Sequence, residues 1–333
     1  MRYALISDIH GNAHALSAVI EDALIQKVNC AIFLGDYCVG LPSPTETLEC
    51  LYNIPIPSYF VEGNEEERIV NLSKQNQSSW VDGQFSMTYW CYNNLTNCNV
   101  SFLSSLQKII CIDDAIETPI YAFHKPELFF KDTFETSLEP KQYYSSINAG
   151  LFTNNTFQSY VTRLLSKNIP LFEKSEILPK GVYAFGHSHI QWSYAIDNIL
   201  LVSPGSCGLP LDLQRDAPYI ILEYSKQKWN VELRRVQYDT NKVIKTITDL
   251  QLECSAKIWA SLIGMEVLTA YEQAVPFLKY VEKYARSIND YNRPFSKKTW
   301  INAFNNWLKI KDKDYYSKIM SMIHNLPVHE NWL

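Results

Sequence analysis

Two histidines stand one residue apart at the end of an apolar run, in "GVYAFGHSHIQW" (residues 181–192). In extended backbone, residues i and i+2 point to the same side, so the spacing lets the rings of His187 and His189 reach one point. Imidazole is the commonest nitrogen ligand for transition metals, which makes a metal site one reading; a polar turn closing a strand is the other. More ligand-type residues stand where other apolar runs end: Asp8 and His10 in "SDIHGN", Asp36 in "LGDYC", Asn64 in "VEGNEE" and His124 in "YAFHK". Singly, each has an ordinary explanation, since a strand-end Asp often caps a helix and a lone His is commonly structural. Together they make two aspartates, one asparagine and four of the seven histidines, enough for two cations sharing a carboxylate. Mixed nitrogen and oxygen donors suit Mn, Fe, Zn, Ni or Co better than Mg or Ca.

These residues need a scaffold that brings strand ends together. "RYALISD" reads as a buried strand, and "NAHALSAVIEDALIQK" follows with apolar residues at helical spacing. "NCAIFLGD" is a second strand, "SPTETLECLYN" a helix with Ser43 as N-cap and Pro44 in its first position, and "IPSYFVEGN" a third strand. Strand–helix–strand–helix–strand is the pattern of a mainly parallel sheet, and such sheets carry their sites at the carboxyl ends of strands. Residues 65–107 read as mostly helical, and "KIICIDD" with "TPIYAFHK" as a hairpin ending at His124. A helix is expected near "FQSYVTRLLSK" (157–167). After the histidine turn, "WSYAI", "ILLVSPGS", "PYIILEYS" and "WNVELRRV" are closely spaced strands that predict an antiparallel sheet. Past Asp239 the chain turns helical, and the stripe Trp300, Ile301, Phe304, Trp307 and Leu308 predicts a face packed on the preceding domain, with a cap over the site or a dimer surface as functional alternatives.

The chain has 333 residues, 47% of them hydrophobic and 20% charged, which suits one large globular domain or two smaller ones. A net charge of −5 gives no general reason to expect nucleic acid or an anionic membrane as partner. No apolar run is long enough to span a bilayer, and the N-terminus lacks a signal-peptide pattern. The eight cysteines are scattered without a CxxC pair, so the expectation is a cytoplasmic protein with reduced thiols.

The order of the blocks resembles that of the calcineurin-like metallophosphoesterases: D-x-H, G-D, G-N, a lone H, then G-H-x-H. Here they are Asp8-Ile9-His10, Gly35-Asp36, Gly63-Asn64, His124 and Gly186-His187-Ser188-His189. "DIHGN" and "SPGSCGLP" (203–210) further resemble the small bacterial phosphodiesterase branch, and the likeness covers roughly residues 1–236. It implies an α/β fold, a four-layer αββα sandwich of two mixed sheets flanked by helices. The division expected is a metallophosphoesterase domain at 1–238 and a helical extension at 239–333. By the same resemblance, Asp8, His10, Asp36 and His189 hold one metal and Asp36, Asn64, His124 and His187 the other. Two divalent ions are implied, Mn first, with Fe, Zn, Ni or Co as alternatives. Such ions lower the pKa of a bound water, and the resulting bridging hydroxide attacks phosphorus in line. Asp36 and His124 thus count as catalytic as well as ligating. Gly11 and Asn12 open the first helix, where close backbone approach and the helix N-terminus favour an anion, so they join Asn64 as substrate-binding candidates; a plain N-cap is the alternative for Asn12.

One block departs from the family. Many relatives have a histidine after G-N that protonates the leaving group, whereas here Glu65 follows. Glu65 or Glu66 could be the acid if burial raised its pKa; otherwise "NEEER" decorates the first turn of a helix, the reading preferred for Glu66 and Glu67. His14, His324 and His329 read as supporting or surface residues, Cys207 as packing, and Lys125 as an exposed lysine that could meet phosphate. The leading expectation is a phosphoesterase acting on a phosphodiester, as a small molecule or nucleotide. A phosphomonoesterase is the alternative. A non-catalytic scaffold on the same fold ranks last, because none of the seven ligand positions is lost. No membrane partner or stable nucleic-acid binding is expected, and a homo-oligomer is left open.

Overall fold

The computed structural model describes residues 1–74, 76–81, 83–113, 118–125, 179–196, 198–212, 214–249 and 252–311. The first third folds as its apolar pattern predicts. Strands Arg2–Ile6 (β1), Cys30–Phe33 (β2) and Ser58–Phe60 (β3) run parallel, with Tyr3 opposite Cys30 and Ala31 opposite Ser58. Helices Ala13–Ile25 (α1) and Pro44–Tyr52 (α2) make the crossovers. β1 and β2 are covered on both faces, which is why they read as continuous apolar runs. Asn12 caps α1 through its side chain, which accepts from the Ala15 amide; Ser43 precedes Pro44 without a side-chain capping bond.

Helix Asn64–Ser73 (α3), two short 3-10 turns, and helices Ser86–Asn93 (α4) and Asn97–Ser104 (α5) follow. Ile109–Ile112 (β4) and Ile120–Phe123 (β5) form the expected antiparallel pair. The remaining strands are Gly181–Phe185 (β6), Gln191–Ile196 (β7), Ile199–Pro204 (β8), Ala217–Ser225 (β9) and Lys228–Val236 (β10). They do not make one antiparallel sheet. β6 and β8 are parallel neighbours and β7 pairs antiparallel with β8, giving the order β4-β5-β6-β8-β7. β9 and β10 return to the first sheet, where β9 lies antiparallel to β1, giving β10-β9-β1-β2-β3. Close spacing specifies a short connection but not which of two sheet edges the next strand joins.

The protein is therefore an α/β fold of two mixed sheets flanked by helices. Leu5, Ile32 and Val61 of the first sheet meet Ile120, Ala122, Val182 and Val202 of the second in one apolar layer. Ala4, Ile6 and Phe33 face the other way, onto Leu16 and Val19 of α1 and Leu48 of α2.

Helices Thr240–Asp249 (α6) and Leu252–Thr269 (α7) continue that second cluster through Val243, Ile247, Ala260 and Ile263. Helices Ala274–Ser287 (α8) and Lys297–Ile310 (α9) follow. The stripe on α9 is narrower than its spacing predicts. Trp300, Phe304 and Trp307 are buried, but against Phe277 and Val281 of α8 and Ile258 and Leu262 of α7 rather than on the sheets. Ile301 and Leu308 remain exposed. No helix among the described residues is long and apolar enough to cross a membrane. The helix expected at 157–167, and His324 and His329, lie outside the described residues.

Candidate metal centre

The ends of β1, β2, β5 and β6, and the start of α3, converge at one edge of the two sheets. Their donor atoms gather in two groups: Asp8, His10 and His189, and Asp36, His124 and His187, each within 4.8 Å. His189 Nε2 lies 3.4 Å from Asp8 Oδ1. Asp36 Oδ2 lies 3.3 Å from His124 Nε2 and 3.9 Å from His10 Nε2, so one carboxylate oxygen reaches both groups. Asn64 Oδ1 is 3.1 Å from His124 Nε2.

His187 and His189 do not reach one point, as extended spacing suggests; each belongs to a different group. The turn is not extended, for both residues have left-handed backbone, with φ of 68° and 56°. Asp8, His10 and Asp36 are left-handed too, at 52°, 53° and 56°. Such φ values cost roughly 1–2 kcal/mol for an L-residue, although Asp and His tolerate them better than bulkier types. Hydrogen bonds between the loops offset the strain. Asp8 N–H donates to Gly35 O (3.0 Å), His10 N–H to Asp36 O (2.9 Å), and Gly208 N–H to Asp8 O (3.1 Å). Gly186 permits a close approach, since a Cβ there would sit 2.0 Å from Ser7 Oγ and 2.6 Å from Asp8 Oδ2.

Ring orientation is set from behind. His10 Nδ1 faces Val39 O, His124 Nδ1 faces Leu34 O and His189 Nδ1 faces Leu209 O, each at 2.7 Å. A carbonyl oxygen only accepts, so each Nδ1 carries a proton and each ring turns its Nε2 into the site. His10 Nε2 and His189 Nε2 are then 3.1 Å apart, so close that a proton or a cation must lie between them. Asn64 repeats the pattern: its amide N–H donates to Glu65 Oε1, leaving Oδ1 toward His124 Nε2. Imidazole nitrogens and carboxylate and amide oxygens turned inward this closely form a donor set that fits divalent metal ions, whose charge would replace the protons held there. Charge points the same way. Burial opposes ionisation of Asp36, but His124 and His10 outweigh it and hold the carboxyl well below the usual range. Burial likewise opposes charge on His124, but Asp36 pushes its pKa up to about 10. Burial and the neighbouring His10 push His189 down to about 4, so that ring is neutral.

Glu66 is not a helix-turn decoration. Its Oε2 accepts from Asp36 N–H (2.8 Å) and Gly63 N–H (2.9 Å), and its Oε1 from Tyr37 N–H (2.8 Å). It caps α3 and clamps the Asp36 loop in one contact. The sequence signal was the acidic third residue of a helix, half of a capping box; glycine as N-cap hid the rest. Ser206 was also missed as a site residue. Its hydroxyl donates to Asp8 O (2.6 Å) and accepts from Leu209 N–H (2.8 Å), bracing the first loop.

Glu65 faces the cleft in front of the groups, with Oε1 paired to Arg68 and Oε2 buried without a hydrogen-bond partner. Burial raises its pKa, against the lowering effect of Arg68. Gly11 and Asn12 stand apart from the cleft lining. The Gly11 amide donates to Tyr37 O, and a Cβ there would lie 2.6 Å from Leu41 O. The Asn12 amide donates to Gly208 O (2.8 Å) while its oxygen caps α1. Both residues serve the backbone that carries His10. Lys125 pairs with Glu67 (3.9 Å), His14 is exposed on α1, and Cys207 is buried with its thiol pKa raised by burial.

The model of the calcineurin-like phosphoesterase family matches residues 1–191. An uncharacterized protein of Methanocaldococcus jannaschii is 26% identical over 251 residues, 75% of this chain and 93% of its own. Among solved structures, a metallophosphoesterase from Sphaerobacter thermophilus is similar with a TM-score of 0.55 at 18% identity, over 81% of this chain and 99% of that one. A hypothetical protein from Pyrococcus horikoshii gives 0.56 at 15% identity, over 82% and 99%. At these identities the two structures speak for the fold alone.

Proposed function

This chain belongs to the calcineurin-like phosphoesterase family, and from that premise we propose that it hydrolyses phosphodiesters or nucleotide-type phosphate esters with two divalent cations. One observation carries the reading: His10 and His189, each with Nδ1 committed to a carbonyl, bring their Nε2 atoms to 3.1 Å beside the Asp8 and Asp36 carboxylates. A core that needed only packing would not aim two imidazoles and two carboxylates at one point. Asp8, His10, Asp36 and His189 would hold one cation, and Asp36, Asn64, His124 and His187 the other. The position of Asp36 Oδ2 between the groups supports its sharing. Mn is our first choice, because the donors mix imidazole with carboxylate and amide oxygen. Bound divalent cations supply charge neutralisation on phosphoryl oxygens and a water acidic enough to ionise near neutral pH.

The chain's own residues do the rest. Carbonyls of Val39, Leu34 and Leu209 hold three imidazoles in the ligating tautomer. Arg68, half-exposed at the cleft, is placed to meet a phosphate oxygen. Glu65 is the residue we assign to the leaving group's proton, because it lines the cleft and burial raises its pKa. Cys207 is a poor nucleophile, since burial keeps the thiol protonated.

The test is hydrolysis of bis-p-nitrophenyl phosphate and p-nitrophenyl phosphate with and without Mn²⁺, in wild type and Asp36→Asn, alongside metal content. We expect metal-dependent diesterase activity that falls at least about 100-fold in the variant, as for loss of a group acting directly on the reacting centre. Strong preference for the monoester would replace the diesterase by a monoesterase. No bound metal and no cleavage of either ester would end the reading.

A further inference from the structure

The cleft in front of the ligand groups has about 460 Å³ of room and takes much of its lining from the C-terminal helices. That volume lies within the roughly 300–1,000 Å³ of small-molecule sites. His10, Asp36, Asn64, His187 and His189 line it from the sheets, whereas Trp259, Ile263 and Glu266 of α7 and Leu278 and Lys279 of α8 line it from the tail. Binding phosphate needs none of these apolar side chains. Besides packing on the helices behind them, their exposed parts can cover the organic part of an ester.

The tail wall is built, not draped. The Trp259 indole N–H donates to Gln84 O (2.7 Å), and its ring lies 5.6 Å from Trp300, itself in the buried cluster of α8 and α9. Gln84 also lines the cleft, and its Oε1 accepts from Phe295 N–H (3.1 Å), a second tie between the 3-10 turn at Gly83–Phe85 and the tail. The indole is thereby held at the cleft, with little rotamer freedom left to lose on stacking.

Two carboxyl groups narrow the chemistry. Glu266 is buried, with Oε1 accepting from Gln273 N–H (2.7 Å) and Ala274 N–H (2.8 Å), and Glu272 Oε1 accepts from Val275 N–H (3.0 Å). Both line the cleft. Beside them a second anionic group is disfavoured, and an acyl chain would set hydrocarbon against polar oxygen. A flat ring with polar groups on its edge suits both the indole face and the paired Glu266 and Glu272 carboxyls, which hydrogen-bond to each other. We propose that the wall formed by α7 and α8 is a nucleobase subsite, in which the base of a nucleoside phosphate ester stacks on Trp259 while its phosphate sits at the ligand groups. Lys279 and Arg68 supply positive charge to the same cleft. The proposal rests on the phosphoesterase reading above, but its test is a binding ratio rather than turnover.

Calorimetry on the full, Mn²⁺-loaded chain would compare adenosine 5′-monophosphate, inorganic phosphate and octyl phosphate. The nucleotide should bind at least tenfold more tightly than phosphate. Stacking on an aromatic side chain is worth about 1–3 kcal/mol per base, so Trp259→Ala should weaken the nucleotide at least fivefold and phosphate less than twofold. Trp259 is partly buried, so Val275→Trp is the second variant; Val275 lines the cleft at 44% exposure, and a bulky ring there should exclude the base without disturbing the fold. Its expected effect is the same. A nucleotide no tighter than phosphate, octyl phosphate tighter than the nucleotide, or variants that weaken nucleotide and phosphate alike would overturn the subsite. Failure of the phosphoesterase reading would show separately, as no metal-dependent cleavage of bis-p-nitrophenyl phosphate.

Discussion

Glu66→Gln tests whether the Asp36 loop is held by a buried carboxylate. The wild-type side chain is 1% exposed and accepts three backbone N–H groups at 2.8, 2.8 and 2.9 Å. Three donors and no acceptor around it favour the ionised form, while burial and the neighbouring Asp36 push its pKa up to about 8. Glutamine fills the same volume, so the perturbation is electrostatic. Its oxygen can replace Oε2 and keep the bonds from Asp36 and Gly63, but its amide then meets the Tyr37 N–H donor to donor. Losing a charged hydrogen bond costs about 1.5–3 kcal/mol, and an unsatisfied buried N–H about 1–3 kcal/mol more. Removing a buried negative charge beside Asp36 offsets part of this. The net expectation is about 2–4 kcal/mol of destabilisation in urea unfolding of the metal-free protein at pH 9, above the raised pKa of about 8, where the carboxyl is ionised. Loosening the shared carboxylate should also lower metal affinity about 10- to 100-fold, the usual effect of removing a group that positions a ligand. Equilibrium dialysis with elemental analysis measures that. A variant within about 0.5 kcal/mol of wild type, inside the ordinary range of surface substitutions and with full metal content, would refute the clamp.

Two further substitutions probe the frame. Gly186→Ala places a methyl group 2.0 Å from Ser7 Oγ and 2.6 Å from Asp8 Oδ2; we expect about 3 kcal/mol of overpacking strain and loss of bound metal, read by thermal unfolding and elemental analysis, and a variant with wild-type midpoint and metal content would show that the loops yield easily. Asp22→Asn removes the charge and one of the two accepting oxygens that tie α1 to β9 and β10, where Arg234 donates at 2.8 and 3.0 Å and Tyr219 at 2.5 Å. The Arg234 hydrogen bond holds the Asp22 pKa below its unfolded value, so its contribution is present above about pH 4 and lost as pH falls through the lower folded value. Asp22 is about a fifth exposed, so the loss should be about 1–2 kcal/mol at pH 7 and shrink by pH 3 in urea titrations; a pH-independent difference would count against the ion pair.

Much of this protein was legible in one dimension. The period of apolar residues determined β1, α1, β2, α2 and β3, because strands buried on both faces and amphipathic helices leave different local patterns. The chemistry-bearing types at the ends of those runs, from Asp8 to His189, were legible because open α/β sheets place strand ends on one edge.

What the tertiary structure decided concerns contacts between distant residues. His187 and His189 part company because their backbone turns left-handed against the loop of Asp8, some 180 positions earlier, where the His187 N–H meets the Asp8 carboxylate. The clamp of Glu66 depends on amides of Asp36 and Tyr37, about 30 residues away. The late strands chose between two sheets by the free edge each offered, and α7 came to line the cleft through Trp259 and Gln84, 175 positions apart. Side-chain type and local period are properties of a few neighbouring residues, so sequence by itself determines them. Left-handed turns, buried carboxylate clamps and the far wall of a cleft are stable only once distant loops supply their hydrogen-bond partners, and only the folded chain brings those partners together.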